Sequence, residues 1–343
     1  MRECFYDKNI LVIGGTGTIG KALVKRLLEY CAKVVRIFSR DEYKQFIFRN
    51  ELEDKKNVRF LLGDVREKER LNRAMQGIDI VFNLAALKHV PSSEYNPFEA
   101  VKTNVMGVQN TIECAIYNNV KKVIYTSSDK AISPTNTMGA TKLLAERLMT
   151  AADYSKGNAD IVFSSVRFGN VIGSRGSVVP LFAKQIRNYG YVTITHPNMT
   201  RFMMTVNNAI DLLLQATKFA KGGEIFILKM PSLRIGDMAE VCIEESAECF
   251  NLNPRHIDRK IIGMRPGEKM FEELMTLEEA KQAVEFDNMY AVLSINDGKT
   301  HKAKKAEVKE YKSADEPLLN KDKIRELFGE EIKKYIKAGE LQW

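Results

Sequence analysis

Short apolar runs and stretches of helical spacing alternate along the first half of the chain. Asn9–Ile13 is an almost unbroken apolar run, the pattern of a strand buried on both faces. A glycine-rich turn follows, then helical spacing to Tyr30, then a second run at Lys33–Phe38. Further runs lie at Asn57–Leu62, Asp79–Asn83, Lys121–Thr126 and Ile161–Val166. Between them apolar residues recur at helical intervals, as at Leu71 and Met75 and through Ala100–Tyr117 and Thr137–Tyr154. This alternation predicts an α/β fold, a doubly wound parallel sheet with helices on both faces. The second half is less regular and is punctuated by Pro180, Pro197, Pro231, Pro254 and Pro266. Strands are predicted at Val192–Thr195 and Glu224–Leu228, and helices at Val206–Phe219 and Ile235–Cys249. The expected organisation is a core over residues 1–170 and a smaller C-terminal α/β lobe over 171–343, interleaved with late core elements.

Composition narrows the class. Apolar residues make up 45% of the 343 residues, which supports a sizeable core and excludes a disordered chain. The formal charge is +8, with Lys and Arg scattered along the chain. That favours a cleft for an anionic ligand such as a diphosphate over a nucleic-acid surface. The basic run from Lys302 to Lys312 is expected to be a solvated strand or loop. Five cysteines, Cys4, Cys31, Cys114, Cys242 and Cys249, show no C-x-x-C spacing, which fits a reducing compartment. Four histidines without an H-E-x-x-H motif predict no metal site. Met1–Lys8 is polar, unlike a signal peptide, and no apolar run approaches the roughly 20 residues of a membrane helix. The expectation is a cytoplasmic protein with neither a membrane nor a nucleic acid as partner.

The first turn carries Gly14-Gly15-Thr16-Gly17-Thr18-Ile19-Gly20 between a strand and a helix. Glycines there permit a tight turn and close approach of a pyrophosphate to the helix N-terminus. In the first βα unit this is the Rossmann dinucleotide fingerprint. After the second strand the chain reads Phe38-Ser39-Arg40-Asp41. Ser39 and Arg40 suit a 2′-phosphate, the Arg as a fork, and so favour NADP. Asp41 keeps NAD open. Asp64, after the third strand, is placed either to accept from the adenine amino group or to cap the next helix.

More specific features follow. Asn83-Leu84-Ala85-Ala86, Asn104 and a later Lys142 together resemble the extended short-chain dehydrogenase/reductase family. Ser127-Ser128-Asp129-Lys130-Ala131, Pro134–Lys142, Arg167–Ser177 (which includes Arg175), Met199-Thr200-Arg201-Phe202 and Arg265-Pro266-Gly267-Glu268-Lys269 are similar, more narrowly, to UDP-N-acetylglucosamine 4,6-dehydratases of the polysaccharide-biosynthesis type. The resemblance implies dinucleotide contacts at Gly14, Thr16, Gly17, Thr18, Ile19, Gly20, Ser39, Arg40, Asp64, Val65, Ala85, Ala86, Asn104 and Lys142. It implies NADP, or alternatively NAD, tightly bound and recycled within each turnover.

A 4,6-dehydratase oxidises sugar carbon 4, removes the acidified proton on carbon 5, expels the hydroxyl on carbon 6 as water and returns the hydride to carbon 6. That requires an acid and a base side by side. By resemblance Asp129 is the acid and Lys130 the base. Desolvation favours the neutral form of both. The family's usual Tyr, four residues before the Lys, is here Met138, whose thioether can move no proton. Ser128 relaying the proton, or Asp129 accepting it first, are the replacements open to the chain. Lys142 keeps its place at the nicotinamide ribose.

For the substrate, Arg201 and Arg265 are candidates for the diphosphate, Glu268 for the ribose hydroxyls, and Asn170 and Ser177 for phosphate or the sugar amide. Lys88 and His89 lie beyond the fourth strand, towards the sugar. The partner is thus a UDP-sugar, with a GDP-sugar also open. The resemblance further implies a homo-oligomer, a dimer or a hexamer, through the helices at Ala100–Tyr117 and Thr137–Tyr154. Two other functions remain. A nucleotide-sugar 4-epimerase has no need of the Asp129-Lys130 pair, and a non-catalytic dinucleotide sensor has no need of the Arg265–Lys269 motif.

Overall fold

The computed structural model describes residues 1–53, 55–174, 176–294 and 301–338, with the backbone alone at 338. Arg175 of the quoted motif lies outside the described residues.

The chain opens with β1 (Asn9–Ile13), α1 (Thr18–Glu29), β2 (Val34–Ser39), α2 (Glu42–Glu51), β3 (Val58–Leu62), α3 (Lys68–Met75) and β4 (Ile80–Asn83). There follow α4 (Val90–Tyr95), α5 (Pro97–Ala100), a π-helical turn at Val101–Met106, α6 (Gly107–Tyr117), β5 (Lys122–Thr126), a 3-10 turn at Asp129–Ala131, α7 (Thr137–Ser155) and β6 (Val162–Arg167). Then come β7 (Asn170–Val171), α8 (Val178–Tyr189), β8 (Tyr191–Ile194), β9 (Thr200–Met204), α9 (Val206–Phe219), β10 (Ile225–Leu228), β11 (Ser232–Arg234) and α10 (Ile235–Phe250). The remainder is β12 (Asp258–Ile261), β13 (Glu273–Met275), α11 (Leu277–Lys281), β14 (Ala283–Glu285), β15 (Met289–Val292), β16 (Lys304–Lys305), β17 (Tyr311–Lys312) and α12 (Lys321–Ala338).

Two compact units result. The first comprises Met1–Phe168, Ile210–Leu228 and Thr276–Lys309. Its ten-stranded sheet runs β16-β14-β15-β10-β6-β5-β4-β1-β2-β3. The seven strands from β10 to β3 are parallel, and β15, β14 and β16 extend the sheet antiparallel. The apolar runs fit this arrangement, because central strands are covered on both faces. Leu11, Ile13, Val81, Val123 and Phe163 pack with Leu71, Ala74, Val108, Ile112, Ala145 and Met149 of α3, α6 and α7. Ile10 and Val12 point the other way and are equally buried. Strand order reverses beside β1 and β4, the switch point where such sheets bind ligands at their carboxyl ends. Part of the basic run lies here: β16 is an exposed edge strand whose lysines face solvent.

The second unit, Gly169–Ala209, Lys229–Met275 and Glu310–Trp343, has small sheets ordered β11-β9-β7, β12-β8 and β13-β17. Its core gathers Val179, Phe182, Ile186, Met238, Val241, Phe328 and Ile332 from α8, α10 and α12.

One predicted element differs in kind. The helix expected over Ala100–Tyr117 is interrupted by the π turn at Val101–Met106, the widened turn from which buried Asn104 reaches its partners.

Candidate active site

The glycine turn lies at the carboxyl end of β1. Gly14 has φ +78°, and a Cβ there would meet Ala85 N and Leu84 C at 3.0 Å. A Cβ on Gly20 would fall 2.6 Å from Gly14 O and from Gly15 Cα, and one on Gly17 3.3 Å from Gly14 O. These glycines let turn, helix and the segment after β4 approach at backbone distance. No side chain caps α1, whose first residues are Thr18 and Ile19, so its first N–H groups remain available to an anion. Thr16 is buried in the turn.

At the end of β2, Ser39 accepts from Gln45 Nε2 at 3.0 Å. Arg40 is exposed and stands 3.5 Å from Asp64. Asp41 caps α2 by accepting from Lys44 N at 2.9 Å, so its carboxylate serves the helix. Asp64 caps no helix, because α3 begins after Glu67. Instead Asp64 accepts from Arg66 N at 2.9 Å and from the Arg66 guanidinium at 2.7 and 3.0 Å. Burial opposes its charge, but the Arg66 hydrogen bonds outweigh burial and hold the carboxyl below its usual range. Val65 is buried against Gly107, where a Cβ would meet its side chain at 2.7 Å.

Beyond β4, Ala85 N donates to Asn83 Oδ1 at 3.2 Å, and Ala86 follows in the same loop. Asn104 is expected at the dinucleotide but is wholly buried. Its carbonyl accepts from Leu87 N at 2.8 Å, and its amide donates to Leu87 O at 3.0 Å and to Thr141 Oγ1 at 2.9 Å. With both ends of its side chain engaged, Asn104 is a brace, pinning the loop that carries Lys88 and His89 to α7. Lys88 and His89 are exposed. Desolvation, then the adjacent Lys88, pushes the His89 ring towards its neutral form.

The 3-10 turn after β5 brings Ser128, Asp129 and Lys130 together. Asp129 Oδ1 accepts from Ser128 Oγ at 2.7 Å and from Lys130 Nζ at 3.0 Å. Ser128 Oγ also accepts from Lys130 N at 3.3 Å, which closes the turn. Asp129 is 1% exposed, and its second oxygen is buried with no partner among the described residues. An open carboxylate oxygen in a desolvated turn is a high-cost arrangement that calls for a partner or a function. Met138 is buried in the first turn of α7, and its carbonyl accepts from Thr141 Oγ1 at 2.7 Å. Lys142 is buried, with Nζ donating to Thr126 O at 2.8 Å. Burial pushes the Lys142 ammonium down to about 8, and the charge of Glu146 partly offsets this.

In the second unit, Asn170 begins β7. Ser177 precedes α8 with a buried Oγ that lacks a partner among the described residues. Arg265 is exposed, and no ion pair engages its guanidinium among the described residues. Its N–H donates to Glu268 at 3.0 Å across the turn at Gly267. Arg201, expected at the diphosphate, is buried, and its guanidinium donates to Thr200 O at 2.7 Å and Lys269 O at 2.9 Å, with Glu272 3.7 Å away. Those contacts make Arg201 an internal brace of this unit.

Sequence reasoning gave no role to Gly139, Glu146, Arg167 or Glu279. A Cβ on Gly139 would fall 2.2 Å from Lys130 O, so this glycine lets α7 seat under the turn that holds Asp129 and Lys130. Glu146 was signalled by its i+4 spacing from Lys142. Among the described residues no cluster of His, Cys, Asp or Glu forms a metal site, and no helix is long and apolar enough to cross a membrane.

Comparison with known proteins gives a consistent frame. Residues 10–294 match the family model described as polysaccharide biosynthesis protein. The chain is 52% identical to an uncharacterized membrane protein of Methanocaldococcus jannaschii, over 95% of this chain and 97% of that one. It is 44% identical to a UDP-N-acetylglucosamine 4,6-dehydratase (inverting) of Campylobacter jejuni, over 84% and 83% of the two chains. It is 39% identical to a UDP-glucose 4-epimerase of Rickettsia felis, over 94% and 96%. Among solved structures, Pen from Bacillus thuringiensis superposes with a TM-score of 0.92 at 51% identity, covering 96% of this chain and 99% of that one.

Proposed function

The chain belongs to the polysaccharide biosynthesis protein family of extended short-chain dehydrogenases/reductases, and we propose that it is a nucleotide-sugar 4,6-dehydratase converting UDP-N-acetylglucosamine to a 4-keto-6-deoxy sugar nucleotide for surface glycan or glycoconjugate biosynthesis. The observation that carries this reading is the Ser128–Asp129–Lys130 turn, in which the buried Asp129 has one carboxylate oxygen open beside an amine. The Campylobacter relative, a named 4,6-dehydratase, supports it.

The turn after β1 fits a dinucleotide, because its close-packed glycines and uncapped helix N-terminus form a pyrophosphate cradle. Thr16, Gly17, Thr18 and Ile19 line it, and Ala85 and Ala86 border it from the segment after β4. Ser39 and exposed Arg40 favour NADP, and engagement of Asp41 at the α2 cap weakens the case for NAD. A nicotinamide held there would supply the chemistry of accepting a hydride from the sugar and giving it back.

The chain's own groups move the protons. With Met138 inert, the carbon 4 hydroxyl passes its proton through Ser128 to the Asp129 carboxylate, 2.7 Å from Ser128 Oγ. Lys130, in its neutral form, takes the carbon 5 proton once the ketone has acidified it. Asp129 then gives its proton to the departing carbon 6 hydroxyl, which leaves as water. Lys130 finally returns a proton to carbon 5. Both residues end as they began, so one carboxyl serves as base first and acid afterwards. Lys142 and the Thr126 carbonyl that holds it belong at the nicotinamide ribose. In the second unit Arg265 is assigned to the diphosphate, Glu268 to the ribose hydroxyls, and Asn170 and Ser177 to phosphate or the sugar amide; in the first, Lys88 and His89 are assigned to the sugar.

A second reading, nucleotide-sugar 4-epimerase, is favoured by the Rickettsia relative. Incubating the protein with UDP-N-acetylglucosamine in deuterated water separates the two. A dehydratase product lacks one water and carries deuterium at carbon 5, whereas an epimerase product keeps the substrate's mass. We further infer a cytoplasmic homo-oligomer, a dimer or a hexamer. Exposed Met106, Leu144 and Tyr154 on the π turn and α7 support the assembly, and the absence of paired cysteines among the described residues supports the compartment.

A further inference from the structure

Lys142 shares one face of α7 with Glu146, a single turn further on. Glu146 and Arg167 are 1% and 0% exposed. The Arg167 guanidinium forks onto Glu146, Nε to Oε1 at 3.0 Å and Nη2 to Oε2 at 2.6 Å. It forks equally onto Glu279, Nη1 to Oε2 at 3.1 Å and Nη2 to Oε1 at 3.0 Å. Glu279 is fixed by a capping box, its carboxylate accepting from Thr276 N at 3.0 Å while its own N–H donates to Thr276 Oγ1 at 3.2 Å. Two carboxylates share one guanidinium, Arg147 acts on Glu279 as well, and the ammonium of Lys142 is the remaining positive charge that Glu146 acts on. Buried charges persist only where paired in this way.

We propose that Glu146 and Arg167 are positioning residues for Lys142: Glu146 supplies the counter-charge of the buried ammonium, and Arg167 fixes that carboxylate and divides its own charge between Glu146 and Glu279. The consequence for turnover rests on the dinucleotide reading above, but the charge on Lys142 does not. Of the groups that act on Lys142, burial lowers its affinity for a proton and Glu146 raises it. Charged groups on the neighbouring elements are engaged elsewhere. Asp129 pairs with Lys130 on the 3-10 turn, Lys102 of the π turn with Glu99 of α5, and Glu113 of α6 with Lys68. Glu94 of α4 accepts from Thr137 N. The Tyr125 ring on β5, 4.8 Å from the ammonium, is held neutral by burial.

The test titrates Lys142 itself, in the full-length protein labelled with ε-carbon-13 lysine, its resonance assigned with a Lys142→Met variant. Glu146→Gln lowers the titration midpoint by about one pH unit or more, the size of a partly screened charge one helical turn away. Glu279→Gln lowers it as well, by less, because Arg167 then neutralises Glu146 more fully. Simple loosening of the site admits water and moves both midpoints upward, towards the ordinary 10.5. Unchanged or raised midpoints overturn the proposal. NADPH affinity, followed by fluorescence at pH 7 and pH 8.5, is the second readout. Failure of the wild-type protein to bind either NADPH or NADH would defeat the dinucleotide reading, while the titration would still judge the network.

Discussion

Gly139→Ala should cripple the protein, although alanine is the better helix former. Within a helix the exchange gains about 1 kcal/mol of propensity. The added methyl, however, would lie 2.2 Å from Lys130 O and 3.1 Å from Pro134 Cβ. An ordinary contact requires the backbone oxygen to retreat by about 1 Å, and overpacking of this kind costs about 1–3 kcal/mol. The atom that must move belongs to the turn holding Asp129 and Lys130. A displacement of about 1 Å in reacting groups lowers turnover about 100-fold. Stability is therefore expected to change little, because gain and cost partly cancel, while turnover falls about two orders of magnitude. Thermal denaturation and product formation from UDP-N-acetylglucosamine measure the two. A variant with unaltered turnover would refute the claim that α7 seats the catalytic turn through this glycine.

Asp129→Asn keeps an oxygen for Ser128 and Lys130 but can neither take nor give the proton, so turnover should fall about 10²–10⁴-fold with NADPH affinity unchanged. Ser128→Ala should slow oxidation at carbon 4, seen as slower transient NADPH formation in stopped flow; full turnover removes the relay. Arg265→Ala should raise KM strongly with kcat nearly kept, and an unchanged KM would discount its hold on the diphosphate. Lys142 also carries a pH signature. Burial lowers its folded-state value to about 8 from 10.5, so between those pH values the unfolded chain binds more protons. Its contribution to stability therefore rises across that window. Paired urea melts of wild type and Lys142→Met should diverge in favour of wild type from pH 8 to pH 10, and parallel curves would contradict the buried ammonium.

Much of the first unit is legible in the chain because central parallel strands are plain apolar runs. Asn9–Ile13 is both the predicted and the observed β1. The Asp129-Lys130 pair is equally legible, since neighbours in sequence meet in one turn. What the pattern does not carry is pairing at long range. Arg167 stands 21 residues from Glu146 and 112 from Glu279, and no periodicity links them. Arg201 and Asn104 show the same limit from the other side. Each is a residue type suited to a ligand, yet each has polar atoms engaged by backbone and side-chain groups of its own unit. The π turn at Val101–Met106 is likewise invisible, because one extra residue per turn hardly alters an apolar spacing.

The proposed dehydratase requires an internal return of hydride from sugar carbon 4 to carbon 6, with water removed by Asp129 and Lys130. UDP-N-acetylglucosamine bearing deuterium at carbon 4 tests it most directly, with the product read by NMR after turnover in ordinary water. The expected result is a 4-keto product with that deuterium in its carbon 6 methyl group and a solvent-derived proton at carbon 5. Deuterium retained at carbon 4 of an epimer, with no water lost, would contradict it.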